Sequence, residues 1–370
     1  MTWLLSILLL GSGAAFFGAV FLLLRGMGYR PKRRQQPMHL VVASRTDAPG
    51  DLFTVRLQRP GLKRYVPLPR FAAGQSVALT IPGEKLKRRY SLARWQRLAF
   101  GYEVTIKREP EGRFSPRLFS YAQQGSILEV GRPEGHFTLV PHSLRQRAVL
   151  IAGGVGITPL LAMLDQWSPR QRVYTQVHLY WQIRHDEEAL YREVLMALQQ
   201  RCPALHVRIL VSRPAQGVGE KISVELMARE LGSLAHTDFY LCASTALLDS
   251  LLTALTQAAV PTDAQHYERF SLGPAEGGND GWQLDFNGQQ FTADGHPSLL
   301  DALEAQGFDV DADCRTGSCG QCLLGVETGE FQYRSSPECK VPTGHVLTCC
   351  ALPKSHMRLR APTMTALGAS

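Results

Sequence analysis

Three cysteines lie close together near the carboxyl-terminal end of this chain, and their spacing limits what the surrounding segment can fold into. They are Cys314, Cys319 and Cys322, in the run CRTGSCGQC. This C-x4-C-x2-C spacing is typical of a loop that wraps a 2Fe-2S cluster. The glycines between the thiols let the backbone curl so that its N–H groups point at the sulfurs. A fourth thiolate is needed, and Cys349 or Cys350 could supply it. The alternatives are a zinc site, which this spacing fits poorly, and a disulfide framework.

Two local signals predict the structure around the cysteine loop. The run WQLDFNGQQFTA alternates about Asn287-Gly288, which is a strong signal for a β-hairpin. The run SLLDALEAQG predicts a short helix, with Ser298 as its N-cap and Gly307 at its end.

The segment from residue 281 to 362 resembles the plant-type ferredoxin domain, which has an α+β fold of the β-grasp type. In that family the fourth ligand is the cysteine that follows Leu-Thr, and here that residue is Cys349. Cys350 is then a packing residue. The resemblance therefore implies four cluster ligands, Cys314, Cys319, Cys322 and Cys349.

A strand-like run upstream carries Arg88, Tyr90 and Ser91. The two-residue period of a strand places Arg88 and Tyr90 on one face, where a cation can hold a phosphate while the ring covers a planar group. Gly112 and Ser115 then lead into a short helical stretch whose N-terminal amides could receive a pyrophosphate. For the arginines, the alternative is a solvated pair on an edge strand.

Together and in this order, these motifs resemble the flavin domain of the ferredoxin-NADP reductase family, a small antiparallel barrel that we assign to residues 36–142. The resemblance implies FAD, with FMN as the alternative flavin. It assigns the flavin phosphate to Arg88, stacking on the isoalloxazine to Tyr90 and a hydrogen bond near N5 to Ser91. The pyrophosphate is assigned to Gly112 and Ser115.

An apolar strand, a glycine turn and an apolar-periodic helix follow in the run AVLIAGGVGITPLLAML. Such a turn lets a pyrophosphate approach the helix N-terminus. Strand-like and helix-like runs then alternate and predict an α/β nucleotide-binding domain over residues 145–272. The turn resembles the nicotinamide loop of the same reductase family, in which proline replaces the third glycine. This implies cofactor contacts from Gly154, Gly156, Thr158 and Pro159.

The reductase family usually closes this domain with Cys-Gly-Pro beside the nicotinamide, whereas this chain has Cys242-Ala243-Ser244. By analogy Cys242 lies near the hydride-transfer carbon, although Ala243 adds a methyl group where the family leaves space. The alternative is a buried strand cysteine. Glu268 is a candidate hydrogen-bonding partner close to the flavin. The candidate catalytic residues are therefore Ser91, Cys242 and Glu268.

Three cations favour NADPH over NADH as the electron donor. Arg184 and Arg213 follow the second and third strands of the nucleotide domain, and Lys221 comes shortly afterwards. They are close to the basic set that grips the 2′-phosphate in NADPH-using relatives. The alternative is that they are ordinary solvent-exposed loop cations.

The first 24 residues carry no charged side chain. At about 1.5 Å per helical residue, they are long enough to cross a hydrocarbon core of about 30 Å. The segment lacks the cationic start of a signal peptide, so we predict a transmembrane anchor and basic linker at residues 1–35. Five cations follow closely, and the positive-inside rule then places the catalytic domains in the cytoplasm, at the inner membrane.

The positive charge is unevenly distributed along the chain, whose formal net charge is +8. Residues 36–142 hold 17 Lys and Arg against 8 Asp and Glu, whereas residues 281–361 hold 6 against 10. A basic flavin domain could dock an acidic cluster domain or face anionic lipid. No helix-turn-helix or RNA-binding aromatic motif accompanies the arginines, so nucleic acid is excluded as a partner. A glycine-rich linker, residues 273–280, precedes the cluster domain.

The predicted fold class is multidomain: an N-terminal transmembrane helix, an antiparallel β-barrel flavin domain, an α/β nucleotide-binding domain and an α+β 2Fe-2S ferredoxin domain. A nicotinamide gives two electrons at once, a flavin can release them singly, and the cluster carries one. The sequence therefore predicts a membrane-anchored reductase that passes electrons from NAD(P)H to a partner. The preferred partner is a membrane-bound oxygenase, namely a di-iron fatty-acid desaturase or hydroxylase. The alternatives are a soluble ring-hydroxylating oxygenase as partner, or a non-catalytic membrane redox sensor.

Overall fold

The computed structural model describes residues 36–141, 143–168, 174–270, 272, 281–293, 295–337 and 339–361. The predicted anchor at residues 1–35 and the predicted linker at 273–280 lie outside the described residues. Within the described ranges, no helix combines the length and the apolar character needed to cross a bilayer. The described residues from Pro37 onward form one compact unit.

The first part of this unit, which we call the barrel domain, is an antiparallel sheet with the strand order β4-β3-β6-β1-β2-β5. A bridge between Leu92 and Val104 joins the two ends of the sheet and closes it. The apolar side chains of alternate strand residues fill the interior, among them Leu40, Phe53 and Leu79. The strands are β1 (Met38–Ala48), β2 (Leu52–Gln58), β3 (Ser76–Thr80), β4 (Lys87–Ser91), β5 (Tyr102–Lys107) and β6 (Ile127–Val130), and helix α1 (Ser115–Tyr121) lies between β5 and β6 in the chain.

The second part, the nucleotide domain, is a parallel sheet in the order β11-β10-β7-β8-β9. Its strand β10 is buried at every residue, as expected for a strand covered by helices on both faces. The strand order reverses beside β7, and in such sheets ligands bind at the carboxyl ends of the strands where this happens. The strands are β7 (Arg147–Gly153), β8 (Gln176–Ile183), β9 (Leu205–Val211), β10 (Thr237–Ala243) and β11 (Gln265–Arg269), and the helices are α2 (Ile157–Trp167), α3 (Arg192–Arg201), α4 (Val224–Leu231) and α5 (Thr245–Gln257).

The third part, the cluster domain, is a mixed sheet in the order β13-β12-β18-β14-β16, with a separate pair β15-β17. Helix α6 (Leu299–Ala305) packs its buried leucines on this sheet. The strands are β12 (Gln283–Phe286), β13 (Gln289–Thr292), β14 (Leu323–Thr328), β15 (Phe331–Tyr333), β16 (His345–Leu347), β17 (Ala351–Pro353) and β18 (Met357–Arg360).

Both local predictions for this domain are confirmed. Phe286 pairs with Gln289, so Asn287-Gly288 forms a two-residue turn, and its φ values of 55° and 80° are those of a type I′ hairpin. The Ser298 hydroxyl accepts a hydrogen bond from the Asp301 N–H at 3.1 Å and caps α6.

Candidate functional site

Strand β4 presents the predicted flavin motif at the surface of the barrel. Arg88 pairs with Leu79 and Tyr90 with Val77 on the neighbouring strand, so the two side chains share a face as the sequence predicts. The Tyr90 ring lies 6.4 Å from that of Phe114, at an angle of 25°. Burial raises the pKa of the Tyr90 phenol, so this ring offers a neutral aromatic surface.

Arg88 is a partly buried cation that donates a hydrogen bond to the Lys87 carbonyl at 2.9 Å. Burial, together with the positive charge of Arg315 in the cluster domain, lowers the pKa of Arg88 to about 10. Asp301 and Glu304, which pair with Arg315, only partly offset this effect. A partly buried cation favours an anion beside it. The site therefore fits the phosphate of a flavin nucleotide.

The three predicted catalytic residues come from distant parts of the chain, and the structure brings them together. The Ser91 hydroxyl donates a hydrogen bond to Oε2 of Glu268 at 3.1 Å. Glu268 lies on β11 directly opposite Cys242 on β10, and Cys242 is fully buried. The barrel and the nucleotide domain thus meet at this group.

The glycine turn after β7 is packed directly against β10. A Cβ on Gly156 would lie 1.9 Å from the Cys242 carbonyl oxygen, so only glycine fits there. Gly154 has a φ of 53°, and its carbonyl accepts a hydrogen bond from the Trp181 indole at 2.8 Å. Thr158 donates a hydrogen bond to the Val155 carbonyl at 3.1 Å. The turn holds the start of α2 at the carboxyl edge of the sheet.

Ala243 is accommodated by a glycine on the neighbouring strand. A Cβ added to Gly153 would lie 2.8 Å from the Ala243 methyl group. The extra methyl group that departs from the family pattern therefore packs against Gly153.

Gly112 and Ser115 form a tight turn before α1. A Cβ on Gly112 would lie 2.9 Å from the Glu109 carbonyl oxygen, and the Ser115 hydroxyl accepts a hydrogen bond from the Glu109 N–H at 3.0 Å. The Ser115 side chain thus holds the turn itself. A pyrophosphate contact at this place would come from the backbone N–H groups.

The three predicted nucleotide-binding cations are exposed at the carboxyl edge of the parallel sheet. The Arg213 N–H donates a hydrogen bond to the Arg184 carbonyl at 2.8 Å, which places the ends of β8 and β9 side by side. Gln182 holds the loop before Lys221 by donating a hydrogen bond to the Glu220 carbonyl at 3.1 Å. Gln182 was not predicted from the sequence, because a glutamine within a strand has no motif of its own.

The cysteine loop directs backbone donors at its sulfurs. The N–H groups of Thr316 and Cys319 lie 3.4 and 3.3 Å from Sγ of Cys314, and the Cys349 N–H lies 3.5 Å from Sγ of Cys322. Such donors stabilise negative sulfur, and they fit thiolate ligands.

The thiols of the predicted ligands also meet one another. Cys319 and then Cys349 hydrogen-bond to Cys314 and hold the pKa of its thiol far below the ordinary value. The Cys349 thiol also contacts Cys322. No three of the described His, Cys, Asp or Glu side chains surround a single-ion site. The fit to a cluster thus depends on these thiol contacts and on the backbone donors.

Two further cysteines lie beside the loop. The Cys350 thiol donates to the Leu347 carbonyl at 3.6 Å, and a Cβ on Gly317 would lie 2.9 Å from its sulfur. The Cys339 thiol donates to the Gly317 carbonyl at 3.5 Å. The position of Cys339 was not predicted, because it is not at ligand spacing in the sequence.

Strand β4 also contacts the cluster domain through ion pairs. Lys87 Nζ lies 2.6 Å from Oδ1 of Asp313, and Arg89 Nη1 lies 3.5 Å from Oδ2 of the same carboxylate. Burial alone would lower the pKa of Lys87. The hydrogen bond to Asp313 and the negative charge of this carboxylate outweigh burial, so that the pKa of Lys87 is raised. The opposite charge balance of the two segments in the sequence was the signal for this interface, although it did not identify the residues.

Comparison with known proteins agrees with this arrangement. Residues 150–251 match the family model described as an oxidoreductase NAD-binding domain. Residues 284–354 match the 2Fe-2S iron-sulfur cluster binding domain. The structure of phthalate dioxygenase reductase has a TM-score of 0.65 at 24% identity, covering 88% of this chain and 98% of that one. At this level of identity it shows the shared fold.

Two curated relatives are similar over most of their length. One of the subunits of 1,2-phenylacetyl-CoA epoxidase from Escherichia coli (strain K12) is 31% identical over 315 residues, or 77% of this chain and 86% of that protein. The reductase subunit of 3-chlorobenzoate-3,4-dioxygenase from Comamonas testosteroni is 26% identical over 314 residues, or 84% of this chain and 92% of that protein.

The predictions of an NAD(P)H-dependent oxidoreductase and of its cofactors, FAD, a nicotinamide dinucleotide and a 2Fe-2S cluster, are confirmed by these relationships. The individual residue roles remain predictions. The chain belongs to the family of NAD(P)H-dependent iron-sulfur flavoprotein reductases that includes this 1,2-phenylacetyl-CoA epoxidase component.

Proposed function

We propose that this chain is the reductase component of an oxygenase system, and that it delivers single electrons from NADPH to the oxygenase through its cluster domain. One observation carries the proposal: strand β4 contacts both other domains. Its last residue, Ser91, is hydrogen-bonded to Glu268 of the nucleotide domain, while its first, Lys87, pairs with Asp313 of the cluster domain. The flavin motif would thus lie between the predicted nicotinamide site and the predicted cluster loop.

The residues of the barrel would bind and orient the flavin. A flavin held there would supply the conversion of a two-electron hydride donor into a source of single electrons. Arg88 would neutralise the flavin phosphate and Tyr90 would cover one face of the ring. Ser91 is oriented by Glu268 and would supply a hydroxyl at the edge of the ring.

The nucleotide domain would bring the nicotinamide to the same place. Gly156 lets the turn pack against the Cys242 carbonyl, and the open space at Gly154 would leave room for a pyrophosphate at the start of α2. Cys242 would form part of the wall beside the nicotinamide. Arg184, Arg213 and Lys221 would contact the 2′-phosphate of NADPH, since charge-assisted contacts to phosphate are strong.

Four thiolates would hold the cluster, namely those of Cys314, Cys319, Cys322 and Cys349. The loop lies next to the barrel through the Asp313 ion pairs. Because Asp313 directly precedes Cys314, the contact with the barrel would also fix the position of the cluster.

The names of the two curated relatives support an oxygenase as the acceptor, because one belongs to an epoxidase and the other to a dioxygenase system. The partner predicted from the sequence is a membrane-bound di-iron fatty-acid desaturase or hydroxylase. The relatives give better support to the alternative partner, a ring-hydroxylating oxygenase. We therefore favour a role as the reductase of a multicomponent oxygenase of this kind. A non-catalytic redox sensor has no support from relatives that are oxidoreductases.

Location at the inner membrane, with the catalytic domains in the cytoplasm, remains a proposal. It is supported by the uncharged first 24 residues and by the cations that follow them. Fractionation of cells that express the full chain tests it. We expect the intact protein in the membrane fraction after a high-salt wash, whereas recovery of a shortened chain in the soluble fraction would contradict the anchor.

The acceptor is tested by crosslinking the full chain in intact cells and identifying the proteins joined to its cluster domain. We expect an oxygenase component, and we expect the purified pair to oxidise the oxygenase substrate at the expense of NADPH. Recovery of a membrane desaturase would instead support the acceptor that the sequence predicted. Recovery of a terminal oxidase chain without any oxygenase would contradict the proposal.

A further inference from the structure

Two neighbouring loops at one end of the barrel expose apolar side chains among cations. The first, residues 59–70, includes a turn of 3-10 helix, Gly61–Tyr65, in which no residue is buried. Leu62 is 84% exposed and Tyr65 is 66% exposed. Large apolar side chains that protrude in this way from a small turn have no role in packing the barrel.

The second loop, residues 94–100, lies beside the first and enlarges the apolar surface. The Leu68 N–H donates a hydrogen bond to the Ala99 carbonyl at 2.7 Å, and the Tyr102 hydroxyl donates to the Pro69 carbonyl at 2.6 Å. Leu98 is 46% exposed. The two loops form one surface, which we call the loop patch.

The loop patch has an excess of positive charge, although Arg94 is paired with Asp165 of α2 at 2.7 Å. Residues 59–70 contain four Lys and Arg, and residues 94–100 contain two Arg, while neither segment contains Asp or Glu. Lys63 and Arg64 flank the exposed apolar side chains. The Arg64 guanidinium lies over the Tyr65 ring at 4.9 Å and donates to its hydroxyl at 2.9 Å. An aromatic ring with a polar tip and an adjacent cation is typical of a residue at a membrane interface.

The loop patch lies at the end of the barrel where the chain enters β1. Gln58, the last residue of β2, pairs with Val41 near the start of β1. Tyr102, the first residue of β5, pairs with Leu57. Both loops therefore emerge next to the beginning of β1, and β1 is the continuation of the basic segment that follows the first 24 uncharged residues.

We propose that the loop patch binds the surface of a bilayer rich in anionic phospholipid, with Leu62 and Tyr65 inserted among the headgroups and Lys63 and Arg64 against the phosphates. Apolar tips flanked by the cations Lys63 and Arg64 match an anionic headgroup layer over acyl chains. This proposal holds whichever oxygenase is the acceptor. It would orient the barrel against the membrane.

Hydrogen-deuterium exchange on the full-length holoprotein tests the proposal, using nanodiscs of phosphatidylglycerol or of phosphatidylcholine. We expect amides in residues 59–70 and 94–100 to exchange several-fold more slowly with phosphatidylglycerol than with phosphatidylcholine, whether or not residues 1–35 also hold the protein on the disc. Equal exchange of these amides on the two discs would overturn the proposal.

Charge-reversal variants test whether Lys63 and Arg64 cause this protection by anionic lipid. In the Lys63→Glu/Arg64→Glu variant we expect the protection to be lost, because each cation at an anionic surface contributes about fivefold to binding. The matched control is Arg201→Glu/Arg229→Glu, which makes the same charge change at exposed positions of the nucleotide domain. It should retain the protection. Both variants should reduce ferricyanide with NADPH at the wild-type rate, which shows that they fold.

The cations of the loop patch could also attract an acidic protein. Poly-glutamate, added to the exchange experiment in place of nanodiscs, is the probe for such a partner. We expect poly-glutamate to protect the loop patch less than phosphatidylglycerol, because it offers no apolar layer for Leu62 and Tyr65. Equal protection by the two would assign the surface to an acidic protein partner and overturn the lipid proposal.

Discussion

Lys87 and Asp313 form an ion pair of 2.6 Å that joins the strand carrying the flavin motif to the loop carrying the cluster cysteines. Asp313 is almost completely buried, and Arg89 contacts its other oxygen. One carboxylate thus receives two cations from the barrel domain. Removing one partner from a buried pair leaves an uncompensated charge, which is more costly than the loss of an exposed pair.

Replacing Asp313 with Asn should slow electron transfer from flavin to cluster by about tenfold, which corresponds to about 1.4 kcal/mol in the barrier. Stopped-flow absorbance after mixing with NADPH measures this step. Ferricyanide reduction, which can draw electrons directly from the flavin, should change little. The control is Asp311→Asn, because Asp311 is more exposed and lies 3.6 Å from Lys87. An equal decrease of the electron-transfer rate in the two variants would show that the buried Asp313 ion pair has no special role in this step.

The fourth cluster ligand is tested by comparing two adjacent cysteines. Cys349→Ser should abolish the EPR signal of the reduced cluster while leaving the flavin bound, because a ligand is lost. Cys350→Ser and Cys339→Ser should retain the signal, since these thiols donate to backbone carbonyls beside the loop. Loss of the signal in Cys350→Ser with retention in Cys349→Ser would reverse the assignment.

Arg213→Ala should raise the KM for NADPH by about tenfold or more and change the KM for NADH little, because a hydrogen bond to a charged group contributes about 1.5–3 kcal/mol. Initial rates with each cofactor measure the effect. Arg201→Ala, on the exposed end of α3, is the matched control and should affect neither cofactor. Equal changes for NADPH and NADH in Arg213→Ala would show that this arginine does not bind the 2′-phosphate.

Asp238 should make the nucleotide domain sensitive to acid. Its carboxylate is fully buried and accepts hydrogen bonds from Tyr174 at 2.8 Å and from Ser143. Burial raises the pKa of Asp238, but hydrogen bonds from His266, Ser143 and Tyr174 outweigh burial and the net pKa is lowered. The contribution of Asp238 to folding stability is therefore fully present above the ordinary pKa of about 3.9. It is lost as the pH falls through the lowered pKa of the folded state.

The Asp238→Asn variant should lose about 1–3 kcal/mol of stability at neutral pH, and its stability should fall less steeply on acidification than that of the wild type. Urea unfolding at a series of pH values measures both. The same pH dependence in wild type and variant would show that another group governs acid unfolding.

The sequence predicts what depends on local chemistry. The Asn287-Gly288 turn, the Ser298 cap and the glycine turn before α2 follow from residues that are close in the chain, and the structure contains all three. The three cysteines of the loop are also local. Their spacing already points to the chemistry of the cluster.

What the sequence does not predict are contacts between residues far apart in the chain. Ser91 and Glu268 are separated by 177 positions, and their pairing requires the barrel and the nucleotide domain to be docked. The same is true of the Lys87 and Asp313 pair and of Gln182, which holds the loop before Lys221. The family resemblance predicted the roles of Ser91 and Glu268 near the flavin, whereas their direct hydrogen bond emerges only from the fold.

The order of electron transfer tests the account most directly. The full-length holoprotein is mixed anaerobically with NADPH, and rapid-freeze EPR of the cluster is compared with stopped-flow absorbance of the flavin. We predict that flavin reduction precedes cluster reduction, that Glu268→Gln slows the first phase, and that Asp313→Asn slows only the second. Reduction of the cluster by NADPH at the wild-type rate in protein depleted of flavin would contradict the account.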